Sequence, residues 1–268
     1  MNFELIMIGT GSAFPRHSYN SCYAIKSHGG LMLVDAGGGN GVFSAINDAG
    51  IKLADIHHIF ITHTHTDHIL GAVWLIRGII NLNKDGESYG GLRIYGNRSV
   101  CNALRLICQL TFLASDYDRF THIVELMEIA DESALTINGN LIECFDVCSE
   151  NVAQTGFRMT FGCGEKLACL GDESLTEDNL KKIKGCDTLV CGAFCRYEDK
   201  EIYRPYEKHH HTVRDVAILA EKANVKNLVL VHSEDDNLKN RQDLYRAEAS
   251  KYYTGNLFIP VDGERLVF

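Results

Sequence analysis

The sequence predicts an α/β fold of stacked mixed β-sheets with helices outside, and three observations carry that prediction. Short apolar, β-branched runs alternate with amphipathic stretches along the 268 residues. Hairpin-like pairs and strand–helix units occur in both halves. No long Pro/Gly/Ser linker interrupts the chain, so a single domain over residues 1–268 is expected.

The elements follow in order. Phe3–Ile8 reads as a strand running into a glycine turn. Gly29-Gly30 separates the strands Cys22–Ile25 and Leu31–Val34, and a helix is predicted over Val42–Ala49. Next come the strand Ile56–Ile61, the helix Ile69–Ile80, the strand Leu92–Tyr95, the helix Val100–Leu113 and the strand Ile123–Ile129. Asn138-Gly139 stands between Leu135–Ile137 and Leu141–Val147, where a tight turn needs positive φ. Strands at Phe157–Phe161 and Leu167–Leu170 precede a helix at Glu177–Lys184 and a strand at Thr188–Cys191. Thr212, with Asp215 three residues later, gives the helix Val213–Ala223 a capping-box-like start. The strand Asn227–Val231, the helix Arg241–Ser250 and the strand Leu257–Ile259 complete the prediction. Three prolines and no short-period repeat exclude a solenoid.

Composition removes several function classes. With 46% hydrophobic and 23% charged residues and a net charge of −9, the chain is neither disordered nor fibrous. No apolar run reaches the roughly 18–20 residues of a membrane span, and the start lacks a signal peptide's basic lead, so a cytoplasmic protein is expected. Ten scattered cysteines without a CxxC pair read as reduced, mostly buried thiols, and Cys186, Cys191 and Cys195 are not spaced as a zinc ribbon. A pI near 5.7 argues against a broadly basic nucleic-acid surface, and Lys181, Lys182 and Lys184 read as a solvated helix end. Gly37-Gly38-Gly39 is not followed by Gly-Lys-Ser/Thr, which excludes a P-loop.

The chemistry concentrates in Thr62-His63-Thr64-His65-Thr66-Asp67-His68, on the loop from the strand Ile56–Ile61 to the next helix. Residues two apart on extended chain point the same way, so His63 and His65 can hold one cation, and Asp67 and His68 at the turn a second. Further ligands should come from other strand ends, because loops at one rim of a sheet converge. Asp172 in Gly171-Asp172 follows a strand, and its carboxylate could bridge two cations; His232 terminates Asn227–Val231.

These residues resemble the metallo-β-lactamase fold hydrolases and, within them, the ribonuclease Z-like branch. The resemblance covers nearly the whole chain: Gly9-Thr10-Gly11-Ser12-Ala13-Phe14-Pro15, Asp35-Ala36-Gly37, Thr62–His68 with Ile69-Leu70-Gly71, Gly171-Asp172, His210 before Thr212, and His232. It implies a four-layer αββα sandwich of two mixed sheets. It also implies that His210 works with Asp67 in proton transfer. The start of the helix after His210 presents N–H groups that favour a phosphate oxygen.

Two departures from the branch are visible. Its third histidine would fall six residues before Gly156-Phe157-Arg158, where this chain has Glu150. Either Glu150 ligates the metal of His63 and His65, making that site friendlier to Mn²⁺ or Fe²⁺, or the site is crippled; Cys148 is a second candidate. The long tRNA-gripping arm of bacterial ribonuclease Z is replaced by a short hairpin, Gly162–Lys166, and the branch's His-Glu-Ala reads Cys191-Gly192-Ala193.

The expectation is a hydrolase with two divalent ions, zinc first and manganese or iron as alternatives. One ion lies on His63, His65 and Glu150, the other on Asp67, His68 and His232, with Asp172 bridging. Water between the ions would lose a proton near neutral pH and attack. Small-molecule or nucleotide-type phosphodiesters are the expected substrates and RNA is not favoured; a homo-oligomer is compatible with the sequence. The rival readings are a lactonase or thioesterase on the same site and a non-catalytic binding protein with a degenerate one. A flavodiiron-type redox enzyme is disfavoured, because that branch carries glutamate where His65 stands.

Overall fold

Along the strand Asn227–Val231, Val229 and Val231 enter one buried cluster while Leu228 and Leu230 enter another, so both faces of the sheet are covered. That pattern recurs throughout the computed structural model, which describes residues 3–84 and 90–268. The first half contributes β1 (Glu4–Gly9), β2 (Cys22–Ser27), β3 (Gly30–Val34), β4 (His58–Phe60), β5 (Leu92–Gly96) and β6 (Val124–Glu128). The second contributes β7 (Ala134–Ile137), β8 (Asn140–Asp146), β9 (Thr155–Thr160), β10 (Lys166–Cys169), β11 (Thr188–Gly192), β12 (Asn227–Val231), β13 (Asn256–Phe258) and β14 (Arg265–Val267). One sheet runs β14-β1-β2-β3-β4-β5-β6 and the other β13-β12-β11-β10-β9-β8-β7. Each joins an antiparallel part to a parallel part.

The helices are α1 (Val42–Asp48), α2 (Thr66–Lys84), α3 (Arg98–Thr111), α4 (Ala114–Ile123), α5 (Lys200–Tyr203), α6 (Val213–Ala223) and α7 (Arg241–Ala249). Ile6, Leu33 and Ile59 of the first sheet pack with Val42, Leu75, Ile79 and Leu104 from its helices. Met7, Val34 and Phe60 meet Phe157, Met159 and Val190 between the two sheets. Leu189 and Leu230 pack with Val216, Ala220 and Tyr245 of α6 and α7. The layers are therefore helix, sheet, sheet, helix, as expected.

Hairpin chemistry was legible: Asn138 (φ 50°) and Gly139 (φ 76°) make the β7–β8 turn, and residues 161–165 alone connect β9 to β10. Three expectations need correction. Glu177–Lys184 is a series of turns, with Leu180 N–H donating four residues back and Lys182 N–H three. Helix α3 ends at Thr111, because Phe112 is extended (ψ 152°), and a separate α4 follows; its polar sequence buries only Asp116 and Phe120, which hid its periodicity. The strand predicted over Ile56–Ile61 pairs only over His58–Phe60. All ten cysteines are unpaired and eight are buried. Among the described residues no helix is long and apolar enough to cross a membrane.

The first turns of α2 lie against the loop after β3. Gly71 donates its N–H to Gly37 O at 2.8 Å, and a Cβ there would stand 1.8 Å from Ala36 O. Gly71→Ala must push α2 off the sheet, and an unfolding titration is expected to show a loss of about 2 kcal/mol or more. A variant as stable as the parent would contradict this packing.

Candidate active site

Asp35, Thr62, Asp172 and His232 all lie just beyond the carboxyl ends of strands, β3, β4, β10 and β12, so both sheets feed one rim. Asp35 (φ 59°) and His232 (φ 54°) adopt the left-handed conformation, each turning the chain sharply at the strand end. Ser12 N–H donates to Ser233 O and Ser233 N–H to Thr10 O, which ties the loop after β1 to the end of β12.

The buried Asp35 carboxylate organises the histidine loop. It accepts Thr62 N–H at 2.8 Å (Oδ1), the Thr62 hydroxyl at 2.9 Å (Oδ2) and His68 Nδ1–H at 2.8 Å (Oδ2). With its hydroxyl proton given to Asp35, Thr62 Oγ1 accepts from His63 Nδ1 at 2.9 Å. The network assigns the Nδ1–H tautomer to His63 and leaves its Nε2 a lone pair. Helix α2 opens at Thr66, so Asp67 and His68 occupy its first turn, where the dipole favours a carboxylate.

Five side chains then converge. Asp172 Oδ2 lies 3.6 Å from His63 Nε2, 3.8 Å from His68 Nε2 and 3.8 Å from His232 Nε2. Asp67 Oδ2 lies 3.3 Å from His68 Nε2 and 3.4 Å from His232 Nε2. The half-buried His65 packs edge-on against His63, with ring centroids 4.5 Å apart. Ligand atoms lie within 4.8 Å of one another in three sets: His63, His65 and Asp172; Asp67, His68 and His232; and Asp172, His210 and His232. The buried His63 Nε2 and His68 Nε2 have no hydrogen-bond partner. Orphaned nitrogens facing two carboxylates are what a divalent cation would satisfy, so the residues fit the metal that the sequence implies.

Electrostatics point the same way. Burial, only partly offset by Asp172, pushes His63 down to about 4. Burial opposes ionisation of Asp67 and Asp172, but the adjoining imidazoles overcome it and hold both carboxyls below the usual range. His68 is raised despite its burial, because Asp35, Asp67 and Asp172 surround it with negative charge, which a cation on its Nε2 side would answer as well as a proton. Burial, reinforced by His232, lowers His210 to about 3. The ring of His210 stacks on Phe194 at 5.3 Å and lies 4.9 Å from His232. A cleft of about 440 Å³, lined in part by Arg16, His65, Asp67, Asp172, Lys208, His210 and His232, opens over these groups.

Two sequence expectations change here. The structure does not bring Glu150 to the cluster: its carboxylate is 80% exposed and lies 3.2 Å from His209 Nδ1. Cys148 (φ 62°) turns the loop before β9 aside, and Cys148 and Glu150 line a separate cleft. The start of α6 offers no open row of N–H groups either. Asp215 and Thr212 close a reciprocal box, Tyr206 OH donates to Asp215 at 2.6 Å, and Val213 N–H donates to Cys195 O.

Two residues that support the site carry little signal in the sequence. Asp35 reads in the sequence only as part of a turn, although its place after an apolar strand matches that of Asp172. Gln154, which carried no signal, donates from Nε2 to Leu170 O at 3.0 Å and Asp172 Oδ1 at 2.8 Å, fixing which oxygen faces the imidazoles. Asp35→Ala is expected to weaken metal affinity about 10–100-fold, the usual cost of losing an orienting partner. Competition with a metal-binding dye measures it, and unchanged affinity would remove Asp35 from the support of the site.

Comparison with known proteins places the chain. The family model for Anti-Pycsar protein Apyc1 matches residues 3–254. The chain belongs to the Anti-Pycsar protein Apyc1 family. It is also 26% identical over 262 residues to a ribonuclease Z of Azobacteroides pseudotrichonymphae genomovar. CFP2, covering 86% of this chain and 87% of that protein. A ribonuclease Z of Staphylococcus carnosus is 28% identical over 303 residues, covering 93% and 94%. The metallo-β-lactamase fold protein YhfI of Bacillus subtilis superposes with a TM-score of 0.80 at 18% identity, over 99% of both chains. This member of the Apyc1 family is thus a metal-dependent hydrolase of the metallo-β-lactamase fold, related to ribonuclease Z.

Proposed function

We propose that the protein hydrolyses compact, nucleotide-type phosphodiesters with two divalent metal ions. The observation that carries this reading is the position of Asp172 Oδ2, within 3.8 Å of three imidazole nitrogens, two from the histidine motif (His63 and His68) and one from His232 at the end of β12. His63, His65 and Asp172 hold one ion, and Asp67, His68, His232 and the shared Asp172 the other. An imidazole–carboxylate set without thiolate suits zinc, with manganese or iron as alternatives. Bound divalent cations supply Lewis acidity and water activation.

The chain's own residues supply the rest. His210 faces the cleft beside His232, and burial keeps it neutral in the free protein. An anionic phosphodiester in the cleft favours its protonated form, so that it moves a proton to the departing oxygen, while Asp35 and Gln154 fix the orientations of His68 and Asp172. A phosphodiester is favoured over a carbonyl ester because Arg16 and Lys208 line the cleft, and two of the acids beside them, Asp235 and Glu234, accept hydrogen bonds. Asp235 Oδ2 accepts N–H groups from Arg16 and His17 at 2.6 Å, and Glu234 accepts Tyr203 OH at 3.3 Å. Kinship with ribonuclease Z supports the same bond type, and the short β9–β10 turn supports a small substrate over tRNA.

The test is elemental analysis with a panel of bis(4-nitrophenyl) phosphate, 4-nitrophenyl acetate and a lactone. Two ions per chain and preferential diester turnover are expected. A metal-loaded protein that opens the lactone or ester faster identifies a carbonyl hydrolase, and a protein that takes up no metal is a binding module.

A further inference from the structure

Phe14 is 92% exposed, yet it lines the same cleft as Asp67, Asp172 and His210. Exposed apolar side chains are common on protein surfaces and individually mean little. The loop beneath this one is unusual because it is fixed from both sides. Asn20 Nδ2 donates to Ser12 O at 2.9 Å and Ala13 O at 3.3 Å, immediately before Phe14. Immediately after it, the Asp235 carboxylate accepts the N–H groups of Arg16, His17 and Ser18. Tyr19 N–H is held by Asp262. Ser12 N–H is tied to Ser233 O, next to His232. A free loop would fold its phenyl ring onto the nearest apolar surface; this one is braced with the ring in water at the mouth of the cleft.

We propose that Phe14 is a stacking platform for the aromatic base of a nucleoside arm of the substrate. The proposal rests on the phosphodiesterase reading and deepens it. A phenyl ring presents only a π-face and C–H edges, so it grips any base by overlap and reads none by hydrogen bonds, which makes recognition base-tolerant. Arg16, two residues on, lines the same cleft and brings a cation for the sugar–phosphate that would follow a stacked base. Phe14 touches no reacting atom and therefore acts through KM.

Two probes with one leaving group separate this from general damage: thymidine 5′-(4-nitrophenyl phosphate) and methyl 4-nitrophenyl phosphate. Phe14→Ala is expected to raise KM for the nucleoside probe about 5–100-fold relative to the methyl probe. Phe14→Trp is expected to restore it, and adenosine and uridine versions should suffer alike. Since the side chain is exposed, the melting temperature should stay within about 2 °C. An unchanged ratio of the two KM values in Phe14→Ala overturns the platform. If the metal-loaded parent turns over neither probe, the phosphodiesterase reading fails. Equilibrium titration with thymidine 5′-monophosphate then decides: binding lost in Phe14→Ala and regained in Phe14→Trp upholds the platform, and equal binding in all three overturns it.

Discussion

Asp172→Ala is expected to strip the protein of metal and to slow phosphodiester hydrolysis by more than about 10³-fold, because removing one carboxylate opens both proposed ion sites. Its Oδ2 is the oxygen shared by His63, His68 and His232, and Asp67 Oδ2 reaches only the last two. Without Asp172, the His63 and His65 pair keeps no carboxylate, and two neutral imidazoles alone hold a divalent cation weakly. Asp172→Asn keeps the shape and a neutral oxygen but lacks the charge, so it should fall between the parent and Asp172→Ala in metal content. Melting temperature supplies an independent measure. An ion that binds only the folded state stabilises it by mass action, so added zinc should raise the parent's melting temperature and leave that of Asp172→Ala almost unmoved. An Asp172→Ala protein that still carries two ions per chain would remove the bridging role.

The parts of this site that were legible in sequence are those whose geometry is local. His63, His65, Asp67 and His68 lie within six residues, and one strand-to-helix junction fixes where all four point. Asp172 and His232 were legible because each closely follows an apolar strand, and strand ends at one rim converge. Glu150 failed for the complementary reason. Counting six residues back from Gly156-Phe157-Arg158 assumes a particular loop path, and the left-handed Cys148 alters that path, while Gln154 nearer the strand takes the contact with Asp172. The α6 start failed because two true local signals competed: a capping box consumes the N–H groups that an anion would need. In the fold, the two layered sheets followed from apolar, β-branched runs alternating with amphipathic stretches and from hairpins mixed with strand–helix units in both halves. Helix α4 did not, because a short polar helix that buries only Asp116 and Phe120 has no apolar stripe to read.

His210→Ala is expected to lower hydrolysis of phosphodiesters with alkoxide leaving groups by about 10²–10⁴-fold while metal content stays at the parent's value. The backbone holds this residue at the cleft by His210 N–H to Pro205 O at 2.9 Å, and Phe194 fixes the ring plane. The geometry admits two roles, since the donor atoms of Asp172, His210 and His232 also lie within 4.8 Å of one another. Metal analysis separates them, because a ligand's loss releases ion and a proton donor's loss does not. Leaving-group dependence separates them again. An alkoxide needs a proton as it departs and 4-nitrophenolate does not, so a proton-transfer residue matters far more for the first. His210→Ala should therefore retain within about tenfold of the parent's rate on a 4-nitrophenyl diester and lose most of its activity on a dinucleotide. Equal losses on both substrates with metal retained would assign His210 to substrate positioning, and equal losses with metal released would make it a ligand.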